Sequence, residues 1–442
     1  MIGKYSKKRV FAWSMYDFAN QPFTTLIITF IYGTFFTKVI AENEIIGTAL
    51  WSRAMTITGL TVAILSPIMG AIADKGGYRK FFLMFWTYVC IIGSFALYFP
   101  LPGEVFKALF WVIIANIGFE MGGVFCNAYL PDIAPKSKIG RVSGYGWSFG
   151  YVGGLIALGL AMVLFINPEN PAFGVTKDGG EHIRATNLMV ALWFLVFSIP
   201  VFLGLKNETK KTKFTKSLWQ ESFGQIFHTF QNIKEYKQLV KFLIARLFYN
   251  DGLVTIFAFG GIYAAGTFDF TFQEIMIFGI VLNVTAGLGA FGLGFLDDVI
   301  GGKKTIQLSN LGLIIACVIA VTVPNKDLFS LNLPILGETL ITGRSFFWLS
   351  GVLIGIFSGP NQSASRSLMA RFIPAKMENE FFGFFAFSGK ATAFIGPLLL
   401  GIFTEIFNSQ RYGIAVVFLM FLIGFILLQS VDEDEGIKAA NK

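Results

Sequence analysis

Twelve apolar stretches, nearly free of charge, dominate this chain: approximately residues 10–40, 51–73, 81–99, 105–130, 140–165, 185–205, 239–264, 270–296, 305–323, 346–370, 380–403 and 411–431. A helix needs about 20 apolar residues to cross a bilayer. In hydrocarbon each backbone N–H and C=O must be bonded within its own segment, so such stretches have to be helical. The expected class is an all-α integral membrane protein with twelve transmembrane helices. Charged residues make up 14% of the 442, against about 25% in soluble domains, which argues against a soluble enzyme. The two histidines, His182 and His228, lie in polar connectors, so neither a histidine-built metal centre nor a His-dependent triad is expected. Cys90, Cys126 and Cys317 sit inside apolar runs and read as small buried hydrophobes. No metal, cofactor or enzymatic activity is expected. The net charge of +8 has no basic stripe with interleaved aromatics behind it, so nucleic acid is not an expected partner.

An even number of crossings puts both termini on one side, and the positive-inside rule chooses that side. Loops on the terminal side hold Lys4, Lys7, Lys8 and Arg9, then Lys75, Arg79 and Lys80, then Lys136, Lys138 and Arg141. They continue with the lysine-rich stretch 206–237, Lys303 and Lys304, Arg371 and Lys376, and Lys438 and Lys442. The opposite side, with its helix ends, holds only Lys38, Arg53, Lys107, Lys177, Arg184, Lys326, Arg344 and Arg411. Both termini are therefore expected in the cytoplasm, in the plasma (inner) membrane if the source is bacterial. The first stretch is too long for a signal-peptide core and should remain as a span. The expected organisation is a six-helix bundle over 1–205, a cytoplasmic connector over 206–238 and a second six-helix bundle over 239–442. Within the connector, Lys-rich 207–213 precedes Trp219, Phe223, Ile226, Phe227 and Phe230 at helical spacing, the pattern of an interfacial amphipathic helix; a plain tether is the alternative. The outer loops 166–184 and 324–345 show no clear period.

Two patterns occur once in each half. Gly70-x3-Asp74-x2-Gly77-x-Arg79-Lys80 is matched by Gly294-x3-Asp298-x2-Gly301-x-Lys303-Lys304, and Pro135-x8-Gly144-x5-Gly150 by Pro374-x8-Gly383-x5-Gly389. Equivalent positions and equal starting side describe a parallel repeat about an axis along the membrane normal. Glycine permits a tight turn, the aspartate can take bonds from a helix end, and the basic pair faces cytoplasm and anionic lipid. Gly70, Asp74, Gly77, Arg79, Gly294, Asp298, Gly301 and Lys303 are therefore expected to form a cytoplasmic gate; topology anchoring alone is the alternative for the basic residues. Gly140, Gly144, Gly146, Gly150 and Gly154 form a small-residue ridge for close helix contact.

Ionisable side chains inside hydrocarbon cost several kcal/mol unless paired or wetted. On the first span Asp17, Asn20 and Gln21 share a face with Trp13 and Thr24, and Tyr16 adjoins it. Asp17 lies roughly 12 Å inside Lys8–Arg9 at 1.5 Å per residue. The fourth span carries Asn116, Glu120 and Asn127, the seventh Arg246, Tyr249, Asn250 and Asp251, the tenth Asn361, Gln362, Ser365 and Arg366, and the eleventh Lys390. First, fourth, seventh and tenth spans are equivalent members of three-helix units, so a central wetted cavity is expected. Three acids (Asp17, Glu120, Asp251) face three bases (Arg246, Arg366, Lys390), a near-neutral balance that suits a zwitterionic or neutral polar solute. Static ion pairs that fix helix packing are the alternative. A carboxylate that changes protonation as access alternates would couple transport to protons, and Asp17, Glu120 and Asp251 are the candidates.

The loop Gly70–Lys80 resembles the signature of the major facilitator superfamily, with Tyr78 where the signature has its first arginine. Trp13–Asn20, Tyr129–Ala134, Ser143–Trp147, Tyr249–Gly252, and Ser365–Ser367 through Gly383 to Gly389–Lys390 are similar to the vacuole effluxer family and its bacterial "unknown major facilitator" relatives. The resemblance implies a twelve-helix secondary transporter; fungal members release amino acids from the vacuole. Gly383–Lys390 is not a phosphate loop, since five residues separate its glycines and Ala391 follows the lysine. The expectation is alternating access for a small organic solute, possible amino acids among them, with proton coupling. Lipid translocation and a non-transporting receptor or scaffold are the rivals. The expected partners are the solute and the lipid bilayer, and the expected state is a monomer.

Overall fold

The structure, a computed structural model, describes residues 6–206, 215–333 and 337–441. Lys4, the run 207–213 and Lys442 of the sequence reading lie outside the described residues, as does the side chain of Phe230. Among the described residues eleven helices are long and apolar enough to cross a membrane. They are Lys7–Ile40, Ile45–Gly76, Arg79–Ala96, Val105–Ile133, Lys136–Ile166, Asp178–Gly204, Lys234–Phe268, Gln273–Ile300, Gly302–Thr322, Glu378–Ile406 and Gln410–Gln429. The tenth span, Gly343–Phe372, is as long but falls short in hydropathy because one face carries Asn361, Gln362, Arg366 and a run of serines. That shortfall is itself informative: a helix polar along one face cannot turn that face to lipid. The twelve spans form two six-helix halves. They meet along two seams, the second span against the eleventh and the fifth against the eighth. Exposed Ile64, Phe81, Ile92, Leu192, Leu288 and Ile426 lie along the outer surface, as lipid contact requires.

Several spans depart from a straight α-helix where their sequence removes a backbone donor. Pro22 ends the α-helical part of the first span, and Phe23–Phe30 continues as π-helix. The eleventh apolar stretch, read from sequence as one helix over 380–403, is two pieces, Glu378–Lys390 and Ile395–Ile406. Pro397 explains the break: lacking an N–H, it fits the first turn of the second piece and would lose a bond in the middle of a continuous helix. The loop 324–345, in which the sequence reading found no period, contains an antiparallel hairpin of Asp327–Leu333 and Gly337–Thr342.

The connector forms a helix over Lys216–Gln231, and a short helix, Glu433–Ala440, follows the twelfth span. The repeated glycines serve as turn residues. Gly77 caps the second span at φ 72°, a left-handed conformation that costs an L-residue about 1–2 kcal/mol. Gly301 follows the eighth at φ 91° and ψ 160°, a region open essentially to glycine alone, where other residues lose about 1–3 kcal/mol. Gly77→Ala should lower thermal stability by about 1–2 kcal/mol. Gly301→Ala should lower it further, because the added Cβ would lie 2.7 Å from Glu433 Oε2. Thermal unfolding of the two variants in one detergent tests the order.

Candidate functional site

The repeated motifs recognise one another across the halves. Asp74, at the end of the second span, accepts bonds from Asn379 N (3.1 Å), Asn379 Nδ2 (2.7 Å) and Glu380 N (2.8 Å). The two backbone donors are among the first N–H groups of the eleventh span, where the helix dipole favours an anion. Asp298, its repeat counterpart, accepts Gly140 N at 2.9 Å and the Arg141 side chain at the start of the fifth span. Each aspartate thus caps a helix belonging to the opposite half, and that helix is the one carrying the P-x8-G-x5-G pattern. Gly70 and Gly294 make the approach possible: a Cβ on Gly70 would lie 2.3 Å from Asn379 O, and Gly294 packs against Gly144. Glycine also makes room for the membrane charges. A Cβ on Gly146 would run into Asp17 Oδ2 and Arg366 Nη2, and one on Gly389 would lie 2.9 Å from Arg246 Nη1.

The basic positions of the two loops behave differently. Arg79 pairs with Asp132 at 2.6 Å and crosses to Glu378 of the other half at 3.1 Å. Lys303 stays in its own half, donating to Gln429 O at 3.0 Å, so the expected gate contact from it is corrected. Arg371, a basic residue outside the motif, is likewise held within the second half, reaching Asp297 at 2.7 Å and Glu433 at 3.1 Å; the basic side chain that crosses at this seam is Arg141, to Asp298. Glu433 also accepts the N–H groups of Gly302 and Lys303. The halves are further joined by Ser66 to Gly383 O (3.0 Å), Ser143 to Ser363 O (2.7 Å) and Ser148 to Gly287 O (2.7 Å). Their bonds therefore run from the face bearing the first and last described residues to mid-span.

At mid-span two ion pairs bridge the halves. Arg366 of the tenth span lies among residues of the first half, bonded to Asp17 (2.8 Å), Asn127 Oδ1 (3.1 Å), Ser143 O (2.7 Å) and Ser143 Oγ (2.9 Å). Its guanidinium also lies over the ring of Trp13, 4.6 Å from the centroid. Lys390, at the end of the inner piece of the eleventh span, pairs with Glu120 at 2.6 Å. The second pair is the wetter one, with side chains 32% and 20% exposed, so solvent reaches it.

Arg246 has no carboxylate within ion-pair reach among the described residues. It donates to Phe385 O and Ser388 Oγ, both at 2.7 Å, approaches Asn250 Oδ1 at 3.5 Å, and stands 3.6 Å from the centre of the Phe385 ring. Asn250 Nδ2 donates in turn to Gly389 O at 3.1 Å. Glu120 is near enough to act on Arg246 electrostatically.

Other residues expected in the cavity belong to the interiors of their halves. Tyr16 is fully buried against Thr87 at 3.0 Å; Tyr249 bonds Ser365 at 2.8 Å; Asn361 donates to Asn310 at 2.8 Å. Asp251 is buried beside Gly396 of the outer piece of the eleventh span and, among the described residues, pairs with no base. Asn20 is buried and Gln21 packs on Gly150 and Gly154, whereas Gln362 crosses to Tyr151 of the first half at 3.2 Å. Asp251 has therefore to be struck from the charge balance drawn up from sequence. Asp17 offsets Arg366 and Glu120 offsets Lys390, which leaves Arg246 as one uncompensated positive charge. Residues that the sequence reading did not place at the gate, notably Arg371, Asn379, Glu380 and Glu433, lie at helix ends whose partners are distant in the chain. The only signal was the position of Asn379 and Glu380 inside the second P-x8-G pattern.

A family model described as "Vacuole effluxer Atg22 like" matches residues 46–441. The chain is 26% identical over 439 residues to the "Uncharacterized MFS-type transporter YxiO" of Bacillus subtilis (strain 168), covering 98% of this chain and 97% of the relative. It is 22% identical over 420 residues to Autophagy-related protein 22 of Kluyveromyces lactis, covering 89% and 81%. Among solved structures, the major facilitator transporter FucP in the outward conformation superposes with a TM-score of 0.67 at 14% identity, covering 96% of this chain and 98% of that one.

Proposed function

Because the chain belongs to the vacuole effluxer Atg22-like family and is an MFS-type transporter, we propose that it moves small carboxylate-bearing organic solutes, amino acids foremost, by alternating access. The observation that carries this reading is Arg246: a guanidinium fixed by Phe385, Ser388 and Asn250, with no carboxylate of its own among the described residues, beside a solvent-reached Glu120–Lys390 pair. Bidentate recognition of a carboxylate is what a guanidinium does best. Glu120, close by, offers an anion to a substrate ammonium, and a solute that takes Glu120 away from Lys390 loosens a contact between the halves. Binding thereby favours rearrangement, as alternating access requires. Proton coupling is assigned to Glu120, the carboxylate of the wetter bridging pair.

The organisation proposed is two rocking bundles, 1–205 and 239–442, joined by 206–238. Asp74, Arg79 and Asp298, with Gly70 and Gly294, close the side that carries both termini, and the distribution of lysine and arginine assigns that side to the cytoplasm.

The test is counterflow in proteoliposomes loaded with an amino-acid mixture and challenged with traces of labelled amino acids. Wild-type protein should accumulate label. Arg246→Gln should reduce the rate by about 100-fold, the order expected for loss of a buried charged contact of roughly 3 kcal/mol. Asp251→Asn should retain transport. Label that accumulates equally with Arg246→Gln removes Arg246 from the substrate site. Folded wild-type protein that accumulates none rejects the amino-acid reading.

A further inference from the structure

The connector helix, Lys216–Gln231, has three faces. At about 100° per residue, Leu218, Ser222, Gln225 and Thr229 form one stripe. Trp219, Phe223, Ile226 and Phe227 form a second, roughly 120° around, and Ser217, Gln220, Glu221, Gly224 and His228 form a polar third.

The first stripe is turned to the protein. Leu218 and Ser222 are buried, Leu218 against Gly76 at the end of the second span. Gln225 and Thr229 each hold one oxygen of the Glu380 carboxylate, Thr229 at 2.7 Å. Glu380 is fully buried, and its own N–H is one of the donors that Asp74 accepts, at 2.8 Å. Second span, eleventh span and connector therefore meet at one side chain of the closed seam.

The second stripe is partly open on its outer side. Trp219 is 37%, Phe223 48% and Phe227 64% exposed. A row of exposed aromatics next to a polar face is what the headgroup boundary accepts. The flanking charge is net positive: Lys216, Lys234 and Lys237, with Glu235 between the last two, lie at the ends of this helix and its neighbour, and Lys206, Lys210, Lys211 and Lys213, with Glu208 among them, precede it in sequence. Such clusters are drawn to anionic lipid. The site where the helix docks is also continuous with the lipid-facing belt, since Phe81 and Phe85, both exposed, follow the same turn at Gly76–Tyr78.

We propose that the connector helix is a strap between membrane surface and latch. Its Trp219, Phe223 and Phe227 stripe seats in the headgroup boundary of an anionic leaflet while Gln225 and Thr229 hold Glu380. A ligand that engages one conformation more strongly than another shifts the population toward it, so an anionic surface favours the state in which Asp74 and Glu380 are joined. This inference requires the bilayer and not any particular solute, and its test involves no transport.

The test is hydrogen exchange on the full chain in nanodiscs of phosphatidylcholine alone or with phosphatidylglycerol, in which both leaflets are alike. Anionic lipid should slow exchange about tenfold in residues 216–231 and in residues 378–384. The variant W219S/F223S/F227S should lose the lipid response in both segments. The variant Q225L/T229V should keep it in 216–231 and lose it in 378–384, because the seat is intact and the tie is cut. Protection of Gly302–Thr322 reports that each variant is folded; if the triple variant fails that check, the Gln225 and Thr229 variant alone decides. Exchange indifferent to lipid charge overturns the proposal, as does a lipid response at 378–384 that survives in Q225L/T229V.

Discussion

Arg366→Met lowers the stability of the folded protein by about 3–5 kcal/mol, the penalty of leaving a buried charge without its partner. The stranded group is Asp17, with a side chain only 17% exposed. Ser143 and Asn127 lose their donor at the same time. Asp17→Asn alone is milder, because Arg366 keeps its bonds to Ser143 and its place over Trp13. The double variant Arg366→Met with Asp17→Asn should recover part of the loss, since no uncompensated carboxylate remains. Unfolding of the four proteins in one detergent checks this as a double-mutant cycle. If the double variant is as unstable as the sum of the singles, Arg366 acts through packing alone and the ion pair contributes nothing.

The double variant Asp74→Asn with Asp298→Asn should open the face that bears both termini. Each carboxylate accepts several bonds from a helix start in the other half, and hydrogen bonds to charged groups contribute about 1.5–3 kcal/mol each. Weakening both seams therefore removes roughly 3–6 kcal/mol from the closed state, and about 5.5 kcal/mol suffices to take a two-state equilibrium from 99:1 to 1:99. Ser143→Cys gives the readout: Ser143 is fully buried behind the fifth-span seam, and the native Cys90, Cys126 and Cys317 are buried. A membrane-impermeant thiol reagent added on that face should label Cys only when the two aspartates are changed. Either single variant should label weakly, since the other seam still holds. Labelling no faster in the double variant than in wild type would mean that packing at Gly70–Asn379 and Gly144–Gly294 keeps the face shut without the carboxylates.

The two halves of each latch are both visible in the linear chain, as G-x3-D-x2-G and as P-x8-G-x5-G. That the first pattern binds the second was not, because the partners are Asp74 with Asn379 and Asp298 with Gly140, separated by roughly 305 and 158 positions. Periodicity speaks only about a residue's own helix. It placed Asp17, Glu120 and Arg366 on polar faces and could not rank Asp251 apart from them. A heptad-scale pattern around Asp251 and Asn250 is the same whether a side chain turns to the opposite half or to the eleventh and twelfth spans. Pro397 marks the break in the eleventh span, yet the apolar run continues without interruption on both sides, so hydropathy alone reads a single helix there. Lys303 copied Arg79 in position and not in role, since its partner is decided by where the twelfth span ends.

The chain alone determined that it must cross a membrane twelve times, that it does so as two like halves, and that a few charges are kept from lipid; each follows from the cost of bare polar groups in hydrocarbon. Only the tertiary structure decided which charges cancel. Pairing depends on which helix faces come within 3 Å, and it is this that leaves Arg246 as the one guanidinium at mid-span, among the described residues, without a carboxylate of its own.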